Sequence, residues 1–214
     1  MIEAEFDISK QGSVMQGRTW IRMTKDDINA LPIRRYQGRI SVINTPESLD
    51  RAVCLLEKET VLGFDTETRP AFHARQHFFP SVLQLAGKEE VFIFQLKKKK
   101  LPRSLCRILA NPDIIKAGVA LARDISELKS LEPFESAGFA DVGEIAKKIG
   151  LMNHGLRGLA AVLLKFRISK GAQTSNWSKD ILTPFQIKYA ATDAWVGRKL
   201  YFKLQEIIDK DKAT

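Results

Sequence analysis

The nine residues VLGFDTETR, 61 to 69, set two carboxylates, Asp65 and Glu67, inside a run otherwise fit to be a buried strand. Two apart in a strand, they leave the same face, about 6 to 7 Å from each other at ~3.3 Å per residue. Burying such a pair side by side costs several kcal/mol for each acid unless something positive meets it. Together they can grip one cation. Tyr189 and Asp193 stand four apart in a helical stretch and share one of its faces. Asp124 begins a helix directly after a buried strand, a place where functional groups gather at a sheet edge.

Carboxylates clustered from these positions would repel one another, and without a cation some would take up protons instead of staying charged. Two divalent ions, Mg²⁺ or Mn²⁺, would cancel that charge. A pair of such ions about 4 Å apart, held by Asp and Glu oxygens with a phosphate completing the shell, is a general solution to phosphodiester cleavage. On this reading the buried acids Asp65 and Glu67 are ligands. The plainer alternatives are a strand ending in a solvated turn for the first two, and a core tyrosine with a satisfied hydroxyl for Tyr189.

The elements needed to position these groups can be read along the chain. Thr24-Lys-Asp-Asp27 predicts a capping box on a short helix that Pro32 ends, within an N-terminal arm over 1–37 that lies on the domain. The domain itself occupies 38–214. RISVI (39 to 43) reads as a strand, and Thr45-Pro46-Glu47 opens a helix to about Lys58. TVLGFDTE, SVLQLAG and EVFIFQL form an antiparallel meander, the last two joined by the hairpin-length turn at Gly87.

LPRSLCRILAN is then a helix, DIIKAGVA a buried strand, LARDISELKSL a helix, and FADVGEIAKKIG a short strand leading into a helix that Gly150 terminates. LRGLAAVLLKF is another helix, followed by a polar loop. The last helix starts with Thr183 as N-cap, Pro184 at the first position and Gln186 at the third. The order predicts an α/β fold with a mixed sheet, the meander plus parallel strands, flanked by helices.

Composition narrows the class. The 214 residues are 44% hydrophobic and 28% charged, enough for one well-buried core and unlike a disordered chain. No run of 18 apolar residues and no signal-peptide pattern is present, so a cytoplasmic location, or a nuclear one in a eukaryote, is expected, with no membrane partner. Cys54 and Cys106 read as reduced core thiols. The net charge of +9 is concentrated: Lys147, Lys148, Arg157, Lys165, Arg167, Lys170 and Lys179 follow one another with no acid between them. A second excess starts at the KKKK run, 97 to 100, and ends at Lys129. Either alone is compatible with a solvated face; two of them around a carboxylate pair favour a polyanion track.

FDTET (64 to 68), GVALARD (118 to 124) and YAATD (189 to 193), in that order, resemble the three motifs of the DEDD 3′-5′ exonucleases, in the tyrosine-bearing subgroup that includes ribonuclease D and the exonuclease domain of the Werner syndrome helicase. PSVLQLA (80 to 86) and SNWS (175 to 178) support the match, which covers about residues 38 to 206. The resemblance implies a ribonuclease H-like fold and removal of nucleoside 5′-monophosphates from 3′ ends. It further implies that Asp65 bridges two metals, Glu67 and Asp193 complete one site, Asp124 supports the other, and Tyr189 orients the attacking water. A free phenol titrates near pH 10, so positioning is the role assigned to it. Ribonuclease D carries further helical nucleic-acid-binding domains; this chain, stopping about twenty residues past Asp193, resembles an isolated catalytic domain. RNA against DNA stays open.

Other residues have two readings. His73 and His77 are four apart but lie in a loop with no third zinc ligand, and His154 reads as a loop residue. Trp177 and Phe79 either stack on bases or pack in the core. Two rivals to an exonuclease remain: a catalytically silent nucleic-acid-binding module on the same fold, whose usual mark is a missing acid, and an endonuclease on the same scaffold.

Overall fold

Hydroxyl caps decide where three helices begin. In the computed structural model, which describes residues 12–15, 18–71, 73, 76–96 and 100–213 (the side chains of 12–21 excepted), Thr24, Thr45 and Thr183 each accept a backbone N–H from the third helical residue. The side chains of Asp27, Ser48 and Gln186 answer in kind, completing three capping boxes, each worth about 1 kcal/mol. Lys97 to Lys99, three of the four lysines in the KKKK run, and the start of the expected arm lie outside the described residues.

In chain order the elements are a hairpin of β1 (Gly12–Met15) and β2 (Arg18–Ile21), α1 (Lys25–Ala30), β3 (Arg39–Ile43), α2 (Pro46–Leu56), β4 (Val61–Glu67), β5 (Val82–Ala86) and β6 (Glu90–Gln95). There follow α3 (Arg103–Ala110), β7 (Ile115–Gly118), α4 (Ala122–Leu131), β8 (Phe139–Asp141), α5 (Val142–Lys148), α6 (Leu156–Leu159) and α7 (Pro184–Lys212). The expected helix over LRGLAAVLLKF is α-wound for only one turn. It continues as a π-wound segment, Ala160–Leu164, that Lys165 closes in the left-handed region at φ 59°.

Six strands form one sheet in the order β3-β6-β5-β4-β7-β8. The middle is the expected meander, β4 and β6 both antiparallel to β5, while β3 joins β6 and β7 and β8 follow β4 in parallel. Alternation along β4 then sorts its side chains. Leu62 and Phe64 point into the layer of α2, α3 and α4, with Leu83, Leu85, Phe92 and Phe94 beside them. Val61, Gly63, Asp65 and Glu67 take the opposite face, which α7 covers.

Gly63 is the point of closest approach between those layers: a Cβ there would lie 1.9 Å from the carbonyl oxygen of Ala194. Only a glycine lets the helix backbone come down on the strand. Arg198, one turn further along α7, donates from Nε to the Val61 carbonyl at 2.9 Å and fixes the helix along the strand. The segment before β3 is tied to the same region. Met23 exchanges hydrogen bonds with Asn153, residues 32–34 pair with Arg167, and the Tyr36 amide donates to Thr192 on α7 at 3.1 Å.

Lys116 on β7 is an unusual core residue, fully buried, its ammonium donating to the carbonyls of Asn111 and Ile114 at 2.6 Å each. Burial lowers its titration to about 8. An unfolded lysine gives up its proton near pH 10.4. Between these values the unfolded chain holds more protons, so stability gains as pH rises from about 8 towards 10.4. Denaturant melts should therefore show the native chain gaining stability relative to a Lys116→Met variant as pH rises through that window; parallel curves would contradict a titration lowered by burial.

One core expectation needs correcting. Cys106 is buried, but Cys54 is exposed, because Ala52, Val53 and Leu56 are the residues that α2 turns inward.

Candidate active site

The acids meet where α7 crosses the end of β4. Period-2 alternation puts Asp65 and Glu67 on the α7 side, and the capped start of α7 brings Tyr189 and Asp193 round on successive turns. Ligand oxygens of Asp65, Glu67 and Asp193 all lie within 4.8 Å of one another, the one such grouping of three or more potential ligands among the described residues.

The protein leaves this charge uncompensated. Burial, then Asp193 and Asp124, drives the Asp65 carboxyl well above its ordinary range, with the Thr66 amide, 2.9 Å from Oδ1, opposing. Glu67 is pushed to about 10 by burial and then by Asp65, Asp193 and Asp124. Asp193 rises to about 7 on burial, held back by a hydrogen bond from Tyr189. The Tyr189 hydroxyl is itself driven far above its usual value by burial and by the surrounding acids. The buried Oδ1 of Asp193 has no hydrogen-bond partner. An all-carboxylate set with an orphaned inner oxygen fits a hard divalent cation such as Mg²⁺ or Mn²⁺, and it does not fit zinc's preference for nitrogen and sulfur.

Asp124 stands apart from the three-acid group. It lies in the first turn of α4, on the other side of the sheet, and is held by Thr66, whose Oγ1 donates to Asp124 Oδ1 at 2.8 Å. Thr66 points that way because it alternates with Asp65 and Glu67. Its neighbours still feel Asp124 electrostatically, and its own carboxyl is raised to about 6, by burial first. Ahead of α4, Ala120 occupies the left-handed region at φ 58°, a strained turn of the kind that collects beside functional sites. Thr66→Val should keep the fold while freeing Asp124, lowering turnover by about 10 to 100-fold, the scale of losing a partner that orients a ligand. A thermal melt and a turnover assay check it, and unchanged turnover would detach Asp124 from the chemistry.

A cleft of about 470 Å³ opens over the acids, walled by Val119, Leu156 and Ile168 and reached by three cations, Lys25, Arg157 and Lys170. Arg157 gives one guanidinium nitrogen to Asn29 at 2.6 Å and keeps its buried Nε without a hydrogen bond. The long basic stretch thus divides. Arg157 and Lys170 face the cleft, while Lys179 lines a separate depression with Phe78 and Phe79.

Of the two aromatic candidates, Trp177 proves to be core. It is 1% exposed and lies against Tyr189 with ring centroids 6.0 Å apart, so it backs the tyrosine instead of meeting bases. Phe79 is half-buried, edge-on to His77. His77 Nε2 lies 3.5 Å from Glu127, and His154 Nε2 meets the Leu151 carbonyl at 2.6 Å. Two contributors escaped the sequence reading. Thr66 was signalled by alternation alone, and Lys25 reaches the cleft from the N-terminal segment through a contact with no local sequence mark.

Comparison with known proteins agrees with this geometry. The family model for 3′-5′ exonuclease matches residues 40–209. Mouse bifunctional 3′-5′ exonuclease/ATP-dependent helicase WRN is 32% identical across 70% of the chain, and ribonuclease D of Haemophilus influenzae 30% across 74%. The chain spans only 11% and 40% of those two proteins. Among solved structures, the Nibbler EXO domain of Aedes aegypti superposes with a TM-score of 0.74 at 19% identity, covering 85% of this chain and 94% of that one. Escherichia coli RNase D superposes with a TM-score of 0.69 at 20% identity, covering 78% and 46%. These likenesses carry the ribonuclease H-like fold. With the family model laid over β3 to α7, the frame that carries the acid trio, the chain belongs to the 3′-5′ exonuclease family.

Proposed function

We propose that the chain removes nucleoside 5′-monophosphates from the 3′ ends of nucleic acids, with Asp65, Glu67, Asp124 and Asp193 holding two divalent cations, Mg²⁺ or Mn²⁺. The reading places it in the tyrosine-bearing subgroup and assigns the catalytic unit to 38–214, with 1–37 as an arm. The observation that carries it is the trio of carboxylates within 4.8 Å, one oxygen orphaned, on the floor of a cleft whose walls carry cations. When bound, the ions would polarise the phosphoryl oxygens and make a water acidic.

The chain's own groups divide the rest of the work. Tyr189 keeps its proton at neutral pH and donates it in a hydrogen bond to Asp193, which leaves its hydroxyl oxygen as the acceptor that positions the attacking water. Its ring is backed by Trp177, which limits its motion. Arg157 presents its guanidinium, and Lys25 and Lys170 their ammonium groups, to the phosphates of the strand. RNA is a candidate substrate beside DNA, because a related structure, Trypanosoma brucei RNase D, is a complex with RNA U12.

The test is digestion of 5′-labelled single strands, DNA and RNA in parallel, with Mg²⁺, Mn²⁺ or EDTA. A metal-dependent ladder shortening from the 3′ end is expected, with none in EDTA. Cleavage of a circular strand would identify an endonuclease instead, and folded protein that binds both strands and shortens neither would identify a silent binding module.

A further inference from the structure

An exposed aromatic ring stands beside the cleft with no structural task that needs its exposure. Phe185, at the second position of α7, is 44% exposed, and it sits one turn before Tyr189 and two before Asp193 on the same helical face. The loop after the π-wound segment passes under its edge: a Cβ on Gly171 would come within 2.8 Å of the ring. Phe185, Arg35, Ser169 and Lys188 line a small recess whose inner wall is Tyr189, Thr192 and Asp193, and Ser169, Tyr189 and Asp193 also line the main cleft. The recess and the acid cluster are thus two ends of one surface.

The charge around the ring is positive. The Arg35 guanidinium lies 6.0 Å from the ring centroid, at the outer limit of cation–π attraction, so the ring face is not taken up by a closed stack. Lys188 lines the recess beside the ring, and Lys170, next to Ser169 in the chain, is exposed and lines the adjoining cleft. An exposed aromatic face among cations is how proteins hold single-stranded nucleic acid, the ring taking a base and the cations its phosphates. Eight residues of helix separate Phe185 from Asp193, about 12 Å of axis. That distance suits the base of the neighbouring nucleotide, not of the one being released.

We infer that Phe185 with Arg35 forms a stacking platform for an unpaired base next to the terminal nucleotide, which makes single-stranded 3′ ends the preferred substrate over blunt duplex. The inference rests on the exonuclease reading above and names its substrate class. A base can lie on the ring only after leaving its partner strand, so a paired end meets the platform at the cost of opening.

The test compares wild type, Phe185→Ala, Phe185→Trp and Arg35→Ala on two substrates. One is a labelled thymidine decamer; the other is the p-nitrophenyl ester of thymidine 5′-monophosphate, which carries one base only. Phe185→Ala should raise KM for the decamer about tenfold, the scale of one lost base–aromatic stack. Turnover of the ester should stay within about twofold, and Phe185→Trp should restore the decamer KM. A decamer abasic at the penultimate position should show the same rise with wild type and no further rise with Phe185→Ala. An unmoved decamer KM overturns the platform. So does an equal loss on both substrates, which would mean that Phe185 acts only by packing under Tyr189. Were wild type inactive on both substrates, the hydrolytic reading would fail by itself, and anisotropy of the labelled decamer, tighter with wild type than with Phe185→Ala, would decide the platform by the same criterion.

Discussion

Asp193→Asn should give a folded protein that has lost turnover by about 10³-fold or more, the scale expected when one member of a catalytic unit is removed. The same change should not weaken the metal-free fold at pH 8. The folded carboxyl titrates at about 7, and an unfolded one near 3.9. Between those values the unfolded chain has shed its proton and the folded chain still holds it, so the native protein loses stability as pH rises through that window. Asparagine has no proton to lose and removes one buried negative charge from the trio. The variant's advantage should therefore grow from about pH 4 to 7 and level off above.

Divalent ions should reverse the order, raising the melting temperature of the native protein far more than that of the variant, since an ion that binds only the folded state stabilises it. Thermal melts at two pH values, with Mg²⁺ and with EDTA, read both effects. A variant that keeps about a tenth of native turnover would be incompatible with Asp193 as a ligand.

Gly63→Ala should be the most damaging small substitution in the fold. The added methyl would fall 1.9 Å from the Ala194 carbonyl oxygen, and neither atom can turn away because both belong to backbone in regular structure. Helix and strand have to part, at a cost of about 3 kcal/mol or more, the upper end of overpacking. Activity should fall further than stability alone explains, because the parting separates Asp193 from Asp65 and Glu67. Gly155→Ala is the matched control, with nothing within 4 Å of its added methyl, and should stay within about 0.5 kcal/mol. Urea melts and turnover on a labelled strand compare the two. A Gly63→Ala protein as stable as the control would remove the close approach from the account of the fold.

The pairs that make the site were legible because each rests on a local period. Asp65 and Glu67 share a strand face at spacing two, and Tyr189 and Asp193 share a helix face at spacing four. What brings the pairs together is tertiary, the descent of α7 onto β4 at Gly63, and a glycine in a strand does not say what approaches it. The same limit applies to Asp124. Its helix was legible from its start after β7, but its attachment to Thr66 depends on α4 packing against the face opposite α7.

Trp177 read evenly as a base stacker or a core residue because an aromatic in a polar loop is locally ambiguous; the loop's fold beneath the start of α7 decided it. The pairing of β5 with β6 was clear from the short turn between Ala86 and Glu90. The pairing of β3 with β6 was not, since a parallel edge strand carries no turn to announce its neighbour. The π winding of Ala160–Leu164 has no cue in a run of small and aliphatic residues that suits an ordinary helix equally well.

α7 follows every strand of the sheet in sequence and is laid across its middle, touching β4, β5, β6 and β7. Synthesis therefore delivers Asp65, Glu67 and Asp124 long before Tyr189 and Asp193. A half-made chain has a sheet with one face bare and a ligand set that is incomplete. The ligand set is completed in a single step, as α7 docks on the bare face of the sheet.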